Sequence, residues 1–316
     1  MKNVVKLIKK ANNIAIFSHE NPDPDAVGSA LALCLMLESM GKNVGLFCSG
    51  QMSVGYDFLR YYDRYNTQSL NDFDLCIALD VASEQMLGDY AESFLSKENT
   101  LRFDHHISGT NFAKVNFCKN ESATAILIFD LAKLLKVKIT PEIANNLYFA
   151  ICGDTGIFRN TNTDSKTFFV CSKLLECGAN PKFIYSEFFD KKTVPYVKLT
   201  SKCLLGAEFD KHKDFAIMTA SLDDYKTCGA ELTESIGNLP HTYLACGYKM
   251  VAILKETEDG IRCSLRSKAE YDCTVVAGMF GGGGHKNASG CTISGKLASA
   301  KSAMKKALTN YFKLEK

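Results

Sequence analysis

The chain has 316 residues, of which 46% are hydrophobic and 23% are charged, so it can bury more than one core. Its formal net charge of +2 argues against strong binding of long nucleic acids, which depends on many lysine and arginine contacts to phosphates. No apolar run is long enough for a signal peptide or a membrane span, and we therefore expect a soluble, cytoplasmic protein.

Short apolar segments alternate with helical patterns through the first half of the chain. Such alternation predicts a parallel sheet with helices on both faces. The predicted strands cover residues 13–18, 43–48, 73–80, 100–104 and 113–117, and the predicted helices cover residues 26–40, 123–135 and 141–152. The first half is therefore predicted to be an α/β domain.

The pattern changes near residues 190–195, where the segment DKKTVP interrupts the apolar spacing. Strands and helices follow in irregular order, which predicts a smaller α+β domain. We predict a catalytic domain over residues 1–190, a linker over 191–199 and a substrate-binding domain over 200–316. The thirteen cysteines include no C-x-x-C pair, so we expect reduced thiols that act mainly as small core residues.

The segment after the first predicted strand contains the densest set of polar side chains. His19, Asp23 and Asp25 lie within seven residues, with prolines at positions 22 and 24. Ligands of open α/β sheets bind at the carboxyl ends of the strands, so this cluster is suited to a cation. The alternative is that the carboxylates only cap the following helix. A cap needs one side chain, which leaves the imidazole and the second carboxylate unexplained.

Two later strands also end in polar side chains. Asp80 closes one apolar strand, and Asp104, His105 and His106 end the next. A single carboxylate here is equally consistent with a helix cap, but the neighbouring imidazoles can bind metal. Asp154 lies between two glycines that permit close approach of the backbone. Several carboxylates with one or two imidazoles favour Mn²⁺ and can accept Mg²⁺.

In their order along the chain, these residues resemble the four motifs of the DHH phosphoesterase superfamily, which includes RecJ-type exonucleases and family II inorganic pyrophosphatases. In the second half, the glycines at 281–284 with His285 and the pair Arg266-Ser267 resemble the DHH-associated C-terminal domain. Length and motifs are most similar to the nanoRNase branch of oligoribonucleases and phosphoadenosine-phosphate phosphatases. Two departures are Pro24, where many relatives have glycine, and Asn-Ala-Ser-Gly at 287–290, where Ala-Ala-Gly is commoner.

The resemblance implies a site for two Mn²⁺ ions, with Mg²⁺ as the alternative metal. The implied ligands of one ion are His19, Asp23 and Asp80. Those of the other ion are Asp25, Asp80, His105 and Asp154, so Asp80 would bridge the two ions. Two ions about 3.5–4 Å apart can supply hydroxide at neutral pH and hold phosphoryl oxygens. Asp80 and His106 are the expected catalytic residues, with His106 contacting the phosphate. Asp104 is expected to orient an imidazole.

The resemblance also assigns substrate binding to the second domain, with the active site in the cleft between the domains. Backbone N–H groups of the glycine run would converge on an anion, although the run by itself is equally consistent with a flexible loop. The expected contacts are Arg266, Ser267, Gly282, Gly283, Gly284 and His285. A homodimer built on the first domain is a further expectation from the family.

The predicted function is hydrolysis of short oligoribonucleotides or dinucleotides to mononucleotides, and of 3′-phosphoadenosine 5′-phosphate to AMP. One alternative is a different DHH substrate: pyrophosphate, polyphosphate, a cyclic-dinucleotide product or, as for RecJ, single-stranded nucleic acid. Another is a non-catalytic nucleotide sensor, but every motif carboxylate and imidazole is present. The lack of tryptophan and the single compact glycine element favour short substrates, because grooves for long single strands combine basic tracks with exposed aromatic residues.

Overall fold

The computed structural model describes residues 1–314 except residues 51, 53, 71, 72, 108, 233 and 235. The chain forms two compact units, Met1–Lys191 and Lys192–Lys316. Among the described residues, no helix is both long and apolar enough to span a membrane.

The first unit contains a five-stranded, fully parallel sheet. Its strands are β1 (Asn13–Phe17), β2 (Asn43–Phe47), β3 (Leu75–Leu79), β4 (Thr100–Asp104) and β5 (Val115–Cys118). They are arranged in the order β2-β1-β3-β4-β5. In this order the chain reverses direction across the sheet between β1 and β3, and ligands of such sheets bind at the carboxyl ends of the strands there.

Helices cover both faces of this sheet, and this confirms the predicted fold class. They are α1 (Lys2–Lys10), α2 (Pro24–Ser39), α3 (Ala91–Leu95), α4 (Thr124–Leu135), α5 (Pro141–Asp154), α6 (Ser165–Glu176) and α7 (Pro181–Ile184). Apolar residues of α1, α2, α4 and α5 form one core with the sheet. On the opposite face, α3 and the 3₁₀ segment Glu84–Tyr90 form a smaller core around Phe17.

Helix α2 is almost completely buried because it packs between the sheet and α5. Gly28 lies at the contact with α5, where a Cβ atom would be 2.5 Å from the Asn146 carbonyl oxygen and 2.9 Å from Ala150 Cβ. Any side chain at this position would force the two helices apart. The glycine thus fixes the position of a helix whose first turn contains Asp25.

The second unit contains a six-stranded mixed sheet. Its strands are β6 (Glu208–Phe209), β7 (Phe215–Ala220), β8 (Met250–Thr257), β9 (Gly260–Ser267), β10 (Gly283–His285) and β11 (Ala288–Ile293). The order is β10-β11-β9-β8-β7-β6, in which β7 and β8 are parallel and the other pairs are antiparallel. The predicted smaller domain of mixed architecture is therefore confirmed as a fold.

Five helices accompany this sheet: α8 (Val194–Leu205), α9 (Leu222–Cys228), α10 (Pro240–Ala245), α11 (Cys273–Gly278) and α12 (Leu297–Leu314). Apolar residues of α11 and α12 pack on one face. On the other face, α8, α9 and α10 pack over β7 and β8.

The segment predicted as a linker differs in the structure, because residues 194–199 form the first half of α8. The hydroxyl of Thr193 accepts a hydrogen bond from Tyr196 N at 3.0 Å and caps the helix. Pro195 lies in the first turn, where its fixed φ angle is favourable. The interruption of the apolar pattern therefore marks the start of a helix.

Candidate functional site

The loop from β1 to α2 places three of the predicted metal-binding residues at the carboxyl edge of the sheet. Asp23 caps α2 and accepts a hydrogen bond from Ala26 N at 3.0 Å. His19 Nε2 lies 3.9 Å from Asp23 Oδ1. The capping alternative is therefore correct for Asp23, but Asp25 lies inside the helix and its side chain is fully buried.

The carboxylate of Asp25 is bound by the start of α4. Its Oδ2 accepts a hydrogen bond from Thr124 N at 2.6 Å, and its Oδ1 accepts one from Ala125 N at 3.1 Å. The Thr124 hydroxyl donates to Asp80 Oδ1 at 2.9 Å. Thr124 therefore fixes two carboxylates relative to each other. Thr124, the first residue of α4, was not predicted as a residue of the site.

Asp80 occupies the centre of the site. It follows β3 with a φ angle of +60°, a left-handed conformation that aspartate and asparagine adopt more readily than most residues. The side chain is 1% exposed. Its Oδ1 lies 3.6 Å from His105 Nε2 and 3.6 Å from His106 Nδ1. This one carboxylate is thus close to both imidazoles.

The imidazole of His105 lies among three carboxylates of the site. Its Nδ1 lies 3.0 Å from the carbonyl oxygen of Glu121, which can only accept, so Nδ1 carries the proton. Nε2 is buried without a hydrogen-bond partner among the described residues. It lies 3.3 Å from Asp154 Oδ2, 3.6 Å from Asp80 Oδ1 and 4.0 Å from Asp25 Oδ2. A buried nitrogen without a hydrogen-bond partner beside three carboxylates is the arrangement expected of ligands that share a cation.

The six predicted metal-binding residues come together at this edge. Their ligand atoms form compact groups, within 4.8 Å of one another, that could hold a metal ion. Two of these groups share no residue and together contain all six: the first is His19, Asp23 and Asp80, and the second is Asp25, His105 and Asp154. A further group contains the Asp-His-His motif and consists of Asp80, Asp104, His105 and His106.

Crowding of the carboxylates changes their proton affinity. Burial raises the pKa of Asp80 well above its usual value, and the charges of Asp25, Asp23 and Asp154 add to the effect. Burial, together with the charges of Asp25, Asp23 and Asp104, raises the pKa of Asp154 to about 9. Metal ligands must be deprotonated, so binding of a cation here would be coupled to proton release.

With divalent cations chelated, we expect the free energy of unfolding to decrease between about pH 5 and about pH 8. The pKa of Asp154 is higher in the folded than in the unfolded chain, so the folded state binds more protons in this window and loses stability as the pH rises. His106, whose pKa is raised by its hydrogen bond to Asp104, acts in the same direction. Denaturant unfolding at several pH values measures the slope.

The control for this prediction compares two carboxylates. Asp154→Asn should flatten the pH dependence, because the amide does not titrate. Asp63→Asn changes an exposed side chain and should leave the slope as in the wild type. An Asp154→Asn slope equal to that of the wild type would contradict the prediction.

Asp104 holds the imidazole of His106. The Asp104 side chain is fully buried, and its Oδ1 is 2.8 Å from His106 Nδ1 and 3.1 Å from His106 N. Burial opposes ionisation of Asp104, but the hydrogen bonds from His106 and Arg102 outweigh it and lower its pKa. The pair therefore favours a carboxylate next to a protonated imidazole.

Arg102 is a residue of this site that sequence reasoning missed. It lies within β4 and is 1% exposed. Its Nε donates to Val81 O at 2.9 Å, its Nη1 to Thr110 O at 3.0 Å and its Nη2 to His106 O at 2.7 Å. Nη2 also donates to the carboxylate of Asp104. The guanidinium group thus connects the loops that follow β3 and β4.

The end of α5 is held against the first motif. A Cβ atom on Gly153 would lie 2.4 Å from Pro24 Cβ, so the glycine is needed for this contact. The carbonyl oxygen of Asp154 accepts hydrogen bonds from the side-chain amides of Asn160 at 3.0 Å and Asn162 at 3.3 Å. The expectation that a glycine lets the backbone approach closely is met next to Asp154.

In the second unit, the last two glycines of the run begin strand β10 at the edge of the sheet, and Gly281 and Gly282 precede it. A Cβ atom on Gly282 would lie 2.2 Å from Gly290 O, and one on Gly284 would lie 2.7 Å from Ala288 O. Gly283 has open space at the corresponding position. An edge strand leaves some of its backbone N–H groups unpaired, so these glycines leave donors accessible to a ligand.

The side chains near this strand differ in their hydrogen-bond partners and in their exposure to solvent. Ser267 donates to Tyr271 O at 2.8 Å and accepts from Asn287 Nδ2 at 3.0 Å, so its hydroxyl has structural partners within the unit. Arg266 is half-buried, and His285 is exposed. Ser267 therefore stabilises the turn after β9 in this structure, whereas His285 has its ring in solvent.

The unusual residues at 287–290 have structural roles. Asn287 Nδ2 also donates to Lys268 O at 2.7 Å and to Tyr271 O at 3.0 Å. Ser289 donates from its hydroxyl to His285 O at 2.8 Å and closes the hairpin between β10 and β11. Ser289 thus connects the two strands of the hairpin, and Asn287 connects the hairpin to the end of β9.

The parallel sheet with a carboxylate and imidazole cluster at its edge, followed by a mixed domain with a glycine strand, agrees with two family models. The DHH family N-terminal domain matches residues 13–151, and the DHHA1 domain matches residues 241–313. The chain therefore contains a DHH domain and a DHHA1 domain.

Individual proteins show the same relationship. The chain is 28% identical over 303 residues to the bifunctional oligoribonuclease and PAP phosphatase NrnA of Thermus thermophilus, covering 93% of this chain and 89% of the relative. An exopolyphosphatase-related protein from Bacteroides fragilis has a TM-score of 0.93 at 23% identity, over 99% of this chain and 96% of that one. Exonuclease RecJ bound to manganese has a TM-score of 0.56 at 12% identity, over 98% and 93% of the two chains. The two structures show a shared fold.

Proposed function

We propose that this protein is a metal-dependent phosphoesterase that hydrolyses short oligoribonucleotides and dinucleotides to mononucleotides, and 3′-phosphoadenosine 5′-phosphate to AMP. The main observation is that His105 Nε2 lies beside three carboxylates and has no hydrogen-bond partner in the described part of the chain. The name of the NrnA relative supports the substrate class. The structural neighbour RecJ, which was crystallised with manganese, supports the metal.

The proposed cofactor is a pair of Mn²⁺ ions, for which Mg²⁺ can substitute. Carboxylates and imidazoles are the ligand types that suit these metals. When bound, such a pair would lower the pKa of a water molecule and neutralise phosphoryl oxygens. The proposed ligands are His19, Asp23 and Asp80 for one ion and Asp25, Asp80, His105 and Asp154 for the other.

The proposed role of His106 is to donate a hydrogen bond to the phosphate. Its Nδ1 is bound to Asp104, so Nε2 is the nitrogen that can contact substrate. The pKa of His106 is raised by the hydrogen bond to Asp104, which favours the protonated donor. Arg102 keeps Asp104 ionised and in place and so supports this orientation.

In the second unit, we assign the anion contacts to Arg266, His285 and the backbone of the glycines at 282–284. Arg266 and Ala288 lie directly opposite each other on neighbouring strands, so the arginine is next to the hairpin that contains His285. Ser267 is proposed to support this arrangement through Asn287 and the turn at Tyr271.

The proposed function is tested by turnover across a length series with Mn²⁺. We expect oligoribonucleotides of about two to five residues to have a higher kcat/KM than strands of about twenty, with only a mild salt dependence, because the salt slope scales with the number of phosphates contacted. The panel includes 3′-phosphoadenosine 5′-phosphate, pyrophosphate and polyphosphate. Preferential digestion of long strands with a steep salt dependence would indicate a RecJ-type exonuclease, and turnover of pyrophosphate or polyphosphate alone would also refute the proposal.

A second prediction separates substrate binding from metal binding. Arg266→Gln and His285→Gln are each expected to raise KM by about tenfold, which corresponds to one charge-assisted hydrogen bond. Metal content measured by elemental analysis should equal that of the wild type. Loss of bound metal in either variant would show that our division of roles is wrong.

A further inference from the structure

One face of β9 in the second unit presents two arginines. The strand alternates between buried and more accessible residues, and successive side chains of a strand point to opposite faces. Arg262, Ser264 and Arg266 therefore share a face, opposite to the one occupied by Ile261 and Leu265. With a rise of about 3.3 Å per residue, the Cα atoms of the two arginines are about 13 Å apart.

A cavity of about 480 Å³ lies next to the first of these arginines. Its walls come from three parts of the unit: Arg262 and Ser264 of β9, residues 280–282 before β10, and Thr292 with Gly290 of β11. This volume is within the range of small-ligand sites. Arg266 is not among the described residues that line it, but Gly282 is, so the cavity adjoins the anion contacts assigned above.

The positive charge of Arg262 at this cavity is not neutralised by any residue that the structure describes. Arg262 is exposed and forms neither a hydrogen bond nor an ion pair with any described residue. Lys255 lies directly opposite it on β8, and like charges in this position repel. The amine of Lys255 donates to Leu232 O and lies 5.1 Å from the centre of the Tyr225 ring, so its partners are also uncharged.

We propose that this cavity is a second phosphate subsite, in which Arg262 binds a phosphate group of the substrate other than the one being hydrolysed. Its chemistry fits an anion, because a guanidinium group without a partner among the described residues lies beside the hydroxyls of Ser264 and Thr292. A phosphate there would also relieve the repulsion between Arg262 and Lys255. This inference rests on the proposed function and narrows its substrates to nucleotides with at least two phosphate groups.

The test measures binding in EDTA, so that it does not depend on turnover. The ligands are ApA, which has one phosphate, and pApA and ApAp, which each have an additional terminal phosphate. We expect at least one of the doubly phosphorylated ligands to bind the wild type about tenfold more tightly than ApA, as for one charge-assisted hydrogen bond. Arg262→Gln should remove this difference and leave the Kd of ApA unchanged.

Lys296→Gln provides the matched control, because it removes one positive charge from an exposed position of the same unit. It should retain the tenfold preference. Equal binding of all three ligands by the wild type, or a preference that survives in Arg262→Gln, would overturn the subsite. Failure of the proposed function appears separately, as absence of hydrolysis by the wild type with Mn²⁺ added.

Discussion

Asp80→Asn is expected to reduce kcat/KM by about a thousandfold or more, because metal-based stabilisation of the transition state contributes several kcal/mol and each 1.4 kcal/mol is about tenfold in rate. Asp80 is the carboxylate that we propose to bridge the two ions. An amide has the same shape but supplies no negative charge. Steady-state turnover of a dinucleotide at saturating Mn²⁺ measures the loss.

Asparagine is the right replacement because of the backbone at this position. Asp80 has a φ angle of +60°, which asparagine tolerates and alanine does not. The amide oxygen can still accept the hydrogen bond from Thr124. Replacing a carboxylate whose pKa is raised by burial also removes repulsion, so the metal-free variant should unfold at a temperature no lower than the wild type.

Asp63→Asn is the control for this loss, because Asp63 is exposed and should leave turnover unchanged. Retention of more than about a tenth of the wild-type rate in Asp80→Asn would be inconsistent with a bridging ligand. Loss of activity together with a lowered unfolding temperature would instead indicate damage to the fold.

Arg102→Leu is expected to lower the free energy of unfolding of the first unit by about 3–5 kcal/mol, the usual cost of removing one partner of a buried ion pair. The Asp104 carboxylate would remain buried without its cation. The carbonyl oxygens of Val81 and Thr110 would also lose their donor. For a unit of this size the unfolding temperature should fall by about 10 °C.

Arg64→Leu tests whether the large loss of stability expected for Arg102→Leu is caused by the burial of its ion pair. Arg64 pairs with Glu38, but the two side chains are 26% and 30% exposed, so the expected loss is about 1 kcal/mol or less. Thermal unfolding in EDTA compares the two variants without a contribution from bound metal. Equal shifts for both would show that the Arg102 network contributes no more than a surface ion pair.

The sequence predicted the sheet of the first unit well, because parallel strands buried on both faces are continuous apolar runs. It predicted β4 over residues 100–104, which is the observed range. Helix α1 was missed. Its few apolar residues, Val4 and Ile8 among those buried, are separated by lysines, and the short segment was not recognised as amphipathic.

The site was predictable where a residue type and a strand end coincide, as for Asp80 and His105. Arg102 was not, because its acceptors are mainly carbonyl oxygens of loops, and any residue type provides such an oxygen. Its position inside an apolar strand gave no indication that the charge is buried. Thr124 was missed for a related reason, since its partner Asp25 is about a hundred residues away in sequence.

The contact between Pro24 and Gly153 makes two distant positions interdependent. The pyrrolidine ring occupies the space that a side chain at 153 would need, so the total volume at this point is shared between the two residues. A larger residue at 153 would be accommodated only together with a smaller one at 24, and substitutions at these positions should compensate each other in pairs. Pro24, which departs from many relatives, is therefore matched by the absence of a side chain on α5, immediately before a carboxylate of the site.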